Sequence, residues 1–474
     1  MKVLSTLQLP MASHPASFRD PAGFVYRGSG GCLLRQVNSG YESDFQHLMD
    51  SGLYDDLTSA GLLVAHEEVG LDLRSDERAA FVIRPEMAPF VSYPYEWAFS
   101  ALKDAALLTL EIQRQALHKG MTLKDASAYN VQFFGGRPRF IDTLSLETYQ
   151  SERPWAAYGQ FCRHFVAPLA LMSSTDISLG RLMALHLDGV PLDLASKLLP
   201  GRTWLSLSNL LHIHWHAKSI RKHAETKGPA VRPRTVRLSL KRQLMLIEGL
   251  RGYIEGLSWK PANTEWGDYY QNHSYTEESQ QQKLAIVSDF LDQVQPQSVW
   301  DFGANTGMFS RLASERGAYT TAFDVDPACV EINYRRARKE QTRNLLPLWL
   351  DLTNPSPAIG WRHAERDSLL GRGPCDAVLA LALVHHLAIT NNTPFDNIAE
   401  FFASCSDRLL IEWVPKSDPQ TQRLLRSRPD IFESYTQEQF EMAMVRWFDM
   451  VEQRAVGSSG RVLYSLRRRF SAGD

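Results

Sequence analysis

At 474 residues the chain is too long for one hydrophobic core, so two or three domains are expected. Apolar residues make up 44% and charged residues 22%, the balance of a globular protein, and a formal net charge of -2 leaves no global basic field for gripping nucleic acid. The five cysteines are odd in number, scattered and free of any C-x-x-C pair, which argues against a disulfide framework or a cysteine zinc site and fits a reducing cytoplasm. The N-terminal "MKVLSTLQLPMASHPASFRD" is broken by prolines and lacks a signal-peptide core. No stretch approaches the roughly 20 apolar residues that span a bilayer.

The first elements in chain order are a glycine-bearing hairpin, "GFVYRGSGGCLLRQV", and an amphipathic helix, "SALKDAALLTLEIQRQALHKG". "RPEMAPFVSYPYEW" connects them. Residues 123–146 then read "LKDASAYNVQFFGGRPRFIDTLSL". Here Asp125 and Asn130 are spaced D-x-x-x-x-N, an apolar strand and a glycine turn follow, and a second strand ends at Asp142. This stretch resembles the catalytic loop and metal-binding strand of protein-kinase-like phosphotransferases, especially the small-molecule kinases. The resemblance implies that Asp125 orients an acceptor hydroxyl while Asn130 and Asp142 hold the magnesium of Mg-ATP. It also has departures. Lys124 precedes Asp125, the loop has no histidine, and Thr143 and Leu144 follow Asp142 where a glycine is usual. Arg35 is the nearest cation to the expected ATP-pairing lysine, and arginine does not copy a lysine's point charge. Nucleotide binding, phosphoryl transfer and a purely structural role all stay open.

Residues 150–260 are mostly helical and would complete a helical lobe. "HIHWH" at 212–216 alternates three histidines, but its surroundings are helical, which spreads them around the axis and away from a shared metal. "ETKGPAVRPRT" at 225–235 reads as an exposed linker. The aromatics Trp266, Tyr269, Tyr270 and Tyr275 just before the second half are lid candidates, with interdomain packing as the competing role.

From residue 283 strands and helices alternate: "QSVWDFG", then "MFSRLASERG", "YTTAFDVD", "PACVEINYRRARKE", "LLPLWLDL", the apolar strand "CDAVLALALVHHL", a helix at 394–404, "DRLLIEWV", and a final hairpin around "GSSG". Such alternation predicts a parallel sheet covered on both faces. The turn "DFGANTG" is neither a P-loop, since no Lys follows Gly307, nor a dinucleotide G-x-G-x-x-G. Its Asp-x-Gly-x-x-x-Gly pattern, with Asp301, Gly303, Asn305 and Gly307, resembles the cofactor loop of class I S-adenosylmethionine-dependent methyltransferases. The resemblance extends to Asp324 after the second strand, where an acid meets ribose hydroxyls, and to Asp351 after the third, where one meets the adenine amino group. His385 and His386, at the exit of the fourth strand, are candidate bases, with packing as the alternative; Glu412 is a further candidate. "NPSP" at 354–357 follows the third strand, not the fourth, and reads as a loop.

The strings "SYPYEWAFSALKDAALLTLEIQ", "LKDASAYNVQF", "FIDTLSLE", "NPSPAIGW" and "WVPKSDPQTQRLL" resemble a bacterial family described as nodulation-protein-like methyltransferases. The expected fold is α/β: an α+β kinase-like domain over 1–260, with a helical second lobe, and a seven-stranded Rossmann-like methyltransferase sheet over 261–474. The resemblance implies a methyltransferase using S-adenosylmethionine on an unidentified acceptor, whether glycan, lipid-linked or small molecule. The alternative is a bifunctional enzyme, or a phosphotransferase using Mg-ATP through the first half.

Overall fold

A computed structural model describes residues 13–216, 218, 237–261, 277–426 and 429–469. The linker at 225–235 and the four aromatic lid candidates lie outside these residues.

Four antiparallel strands open the chain: β1 (Gly23–Arg27), β2 (Leu33–Asn38), β3 (His66–Val69) and β4 (Ala79–Pro85), in the order β1-β2-β4-β3. Gly30 and Gly31, both at positive φ, make the β1–β2 turn. The amphipathic helix runs over Phe99–His118 and buries Leu102, Ala106, Leu110 and Ala116. Two small hairpins follow, β5 (Met121–Leu123) with β8 (Leu146–Thr148), and β6 (Val131–Phe134) with β7 (Arg137–Phe140). The "HIHWH" segment is a wide helical turn, Leu210–Trp215.

The second half is one seven-stranded sheet. Its strands are β9 (Ser298–Phe302), β10 (Tyr319–Asp324), β11 (Leu345–Trp349), β12 (Ala377–Ala380), β13 (Arg408–Trp413), β14 (Phe448–Val456) and β15 (Arg461–Arg468), in the order β11-β10-β9-β12-β13-β15-β14. The first five are parallel and the terminal hairpin is antiparallel, as expected from the sequence. The fourth strand is shorter than its apolar run implies. It stops at Ala380, Ala382 takes a φ of 51°, and His386–Thr390 form a helical turn.

Alternation along β9 sorts the core. Val299 packs with Val287, Phe290 and Leu291 of the helix Glu277–Val294 on one face, while Trp300 and Phe302 point to the other. That other face is continuous with the first half: one buried cluster runs from Leu48 to Leu466. Phe90 stands edge-on to Trp300 and to Phe323. The loop between β11 and β12 completes the junction. Its Arg372 pairs with Glu96 at 2.6 Å, both almost fully buried, and stacks on Phe90 and Tyr93. Glu96 also accepts from Ser356, and the Asp367 N–H donates to the Tyr93 hydroxyl at 2.7 Å. The helix Pro327–Glu340 presents buried Glu331 to the Ser100 N–H at 3.0 Å. The two halves therefore share one core.

Candidate active site

The carboxyl ends of β9, β10, β11 and β12 enclose a cavity of about 370 Å³. Asp301, Gly303, Asn305, Asp324 and Asp351 line it, as does His386. An open parallel sheet binds its ligand there, because the strand-to-helix turns present free backbone amides and helix N-termini.

The turn is built on positive φ angles: Gly303 at 73°, Asn305 at 51° and Gly307 at 79°. At Gly307 a Cβ would lie 2.4–2.7 Å from the Asn333 side chain, which would have to shift, and its φ of 79° itself favours glycine. Asn305 tolerates the left-handed region because its side-chain Oδ1 accepts the Thr306 N–H at 2.8 Å. Asp324 clamps the turn: Oδ2 accepts the Asn305 N–H at 2.7 Å and Oδ1 the Asp326 N–H at 2.8 Å. An ionised carboxylate offers about four acceptor sites, which leaves room for a ligand hydroxyl beside these amides. Burial pushes the Asp324 carboxyl up to about 6, against the pull of these amides. Asp301 is buried on the sheet face opposite Trp300 and accepts from the Ser310 hydroxyl at 2.5 Å. Burial pushes its carboxyl up to about 7; the Ser310 bond and the charge of Lys283 oppose the shift, while Asp324 adds to it. Asp351 is more open and caps its own turn through the Thr353 N–H and hydroxyl, at 2.9 and 2.7 Å. Phe309, Val325, Leu352 and Leu383 supply apolar wall.

The two histidines separate. His386 borders the cavity, whereas His385 is buried with its Nδ1 unpartnered. Burial depresses both, His386 to about 4 and His385 well below its ordinary value, so both imidazoles are neutral at ordinary pH. Glu412 does not act as an open base. Its carboxylate receives Lys283 at 2.6 Å, Arg461 at 3.5 Å and the Ala382 N–H at 2.7 Å. Arg461 continues to Asp418 at 2.8 Å. This buried network holds Ala382, a cavity residue, in its left-handed conformation. Lys283, Arg461 and Asp418 were missed in the sequence reading. One signal for Lys283 was present: it precedes Val287, Phe290 and Leu291 by four, seven and eight residues, and so lies on the apolar face of its helix.

In the first half Asp125, Asn130 and Asp142 do meet. The buried Asp125 carboxyl is raised by desolvation and by the charge of Asp142, and lowered by bonds from Ser127, Gln160 and Asn130. Asn130 also donates to the Ser145 hydroxyl at 3.1 Å. Asp142 is paired with Arg35 at 2.7 Å and accepts the Leu144 N–H at 2.9 Å. Arg35 also reaches Asp20 at 3.3 Å. Among the described residues no group of three or more His, Cys, Asp or Glu side chains has metal-holding geometry. The histidines of "HIHWH" part company: His212 bonds Tyr158 at 2.7 Å, and His214 bonds Ser196 and Thr203 at 2.7 and 3.1 Å. No helix among the described residues is long and apolar enough to cross a membrane.

No protein-family model matches the chain. Among solved structures, WbdD aligns with a TM-score of 0.29 at 13% identity, over 42% of this chain and 42% of its own. The N-methyltransferase NodS from Bradyrhizobium japonicum WM9 aligns with a TM-score of 0.29 at 11% identity, over 41% of this chain and 98% of its own. The magnesium protoporphyrin IX methyltransferase ChlM from Synechocystis PCC 6803 aligns with a TM-score of 0.31 at 16% identity, over 43% and 92%. In sequence, the nodulation protein NoeA of Rhizobium meliloti (strain 1021) is 36% identical over 462 residues, 95% of either chain. At that identity over nearly the whole length, the chain belongs to the family of the nodulation protein NoeA.

Proposed function

We propose that the protein is an S-adenosylmethionine-dependent methyltransferase whose donor binds in the cavity at the ends of β9 to β12. One observation carries this reading: three carboxylates from three adjacent strands face one cavity beside a turn of positive φ. The cavity volume of about 370 Å³ lies in the range of small-ligand sites. Asp324 would accept the ribose hydroxyls, Asp351 the adenine amino group, and Asp301 the ammonium of the methionine part. The donor supplies a methyl group on a sulfonium, already a strong electrophile. The chain's own task is then to bind, orient and exclude water. Neutral His386 would accept a hydrogen bond from the acceptor's hydroxyl or amine. A depressed imidazole is a weak base, so orientation is its larger contribution. The acceptor class, a glycan, lipid-linked or small molecule, rests on the family resemblance.

Calorimetric titration of the full chain with S-adenosylhomocysteine tests the donor site. One site per chain is expected, and absence of binding overturns the reading.

The convergence of Asp125, Asn130 and Asp142 favours a second reading, phosphoryl transfer from Mg-ATP. The residues fit magnesium poorly, because the Arg35 guanidinium already neutralises Asp142 and would repel a dication. Mg-ATP binding by the full chain, lost in Asp142→Ala, would restore the phosphotransferase reading.

A further inference from the structure

Large apolar side chains are exposed together on the helical part of the first half. Leu205 is 91% exposed and Leu207 68%, and Leu211 and Trp215 follow at intervals of four along one helical face. Trp204 lies beside Leu205, its ring stacked on His214. The opposite face of the same turn, His212, Ile213 and His214, is buried. An apolar stripe this concentrated marks a contact surface, since isolated exposed leucines are common but clustered ones are not.

Charge indicates what covers it. Lys218 sits over the Trp204 ring at 5.0 Å, and Arg202 is exposed next to it. Beyond the stripe, Arg237, Lys241 and Arg242 are exposed as well. The protein as a whole carries -2, so these cations are a local excess. Leucine and tryptophan on one side with lysine and arginine alongside is the chemistry of a helix lying in the interface of an anionic bilayer. Tryptophan favours the headgroup level, and cations are drawn to the negative surface potential.

We infer that the surface formed by Trp204, Leu205, Leu207, Leu211 and Trp215 docks the protein on an anionic lipid bilayer. The assignment stands independently of the methyl-donor reading. If that reading also holds, docking puts the methyltransferase on a membrane, where a lipid-linked acceptor would reside.

The test is co-sedimentation of the full chain with vesicles of phosphatidylcholine alone and of phosphatidylcholine with phosphatidylglycerol. Binding to the anionic vesicles only, weakened by salt, is expected. Leu205→Glu combined with Leu207→Glu should reduce it at least tenfold with an unchanged melting temperature, because both side chains already face solvent. Arg202→Glu with Lys218→Glu should weaken it at low salt. If the wild type stays in the supernatant, or if the double glutamate variant sediments as well as the wild type, the inference is wrong. A concentration-dependent dimer abolished by the same variant, with no vesicle binding, would assign the surface to self-association instead.

Discussion

Replacing Asp301 with Asn should make the free protein more stable at pH 8.5 while weakening donor binding. The folded chain holds the Asp301 carboxyl at about 7 instead of its ordinary 3.8, because burial disfavours the charge. The folded state binds the proton more tightly than the unfolded chain, so stability is greatest below 3.8 and declines as pH rises through about 7. Full ionisation costs about 4 kcal/mol by that difference, an upper figure since neighbours relax. Asn removes the charge, and its carbonyl oxygen still accepts the Ser310 hydroxyl. A gain of about 2–4 kcal/mol at pH 8.5 is expected, shrinking towards zero at pH 4. With an unfolding entropy of about 2 cal/mol/K per residue, that gain raises Tm by about 2–4 °C for a chain of this length. Scanning calorimetry of both proteins at pH 5 and 8.5 reads it. A Tm gain equal at both pH values, or a loss at pH 8.5, refutes the assignment of a costly buried charge. In the wild type, donor binding near pH 6.5 should release a proton, detectable as a buffer-dependent heat, because a cationic ligand selects the ionised carboxyl.

Asp324→Ala should weaken S-adenosylhomocysteine binding by about 100-fold, since it removes a charged acceptor worth about 1.5–3 kcal/mol and also frees the Asn305 amide; unchanged affinity in a folded variant rejects the ribose assignment. His386→Ala should lower kcat at nearly constant donor affinity, whereas His385→Ala should cost stability, about 2 kcal/mol by thermal melt, with turnover kept in the fraction that folds; the reverse pattern would place the wrong histidine at the cavity. Glu96→Gln leaves the buried Arg372 cation without its counter-charge and should cost about 3–5 kcal/mol. The same calorimetric trace should show one transition for both halves, and two well-separated transitions would contradict the shared core.

Much of the second half could be read from sequence because its signals are local. The period of the helices, Pro327 at a helix start, and acids directly after strand runs need no tertiary knowledge. What was hidden depends on contacts distant in the chain. The fourth strand looked long because "LALALV" is uniformly apolar, yet Glu412, thirty residues on, captures the Ala382 amide and turns the chain. That turn also decides which of His385 and His386 meets the cavity, a choice no spacing reveals. Glu412, a further candidate base by its place after the fifth strand, is held by Lys283 and Arg461, both remote from it in sequence. In the first half, D-x-x-x-x-N and Asp142 were plain, but the Arg35 pair that answers Asp142 joins residues a hundred positions apart. The shared core turns on Phe90, in a segment with no strong period of its own.

The central claim is that the cavity at the ends of β9 to β12 holds a methyl donor. A crystal structure of the full chain soaked with S-adenosylhomocysteine tests it most directly. The account predicts difference density for one molecule, with its ribose hydroxyls on Asp324, its adenine amino group towards Asp351 and its methionine part along Gly303 and Asp301. Density at any other place in the protein, or an empty cavity at saturating ligand, would contradict it.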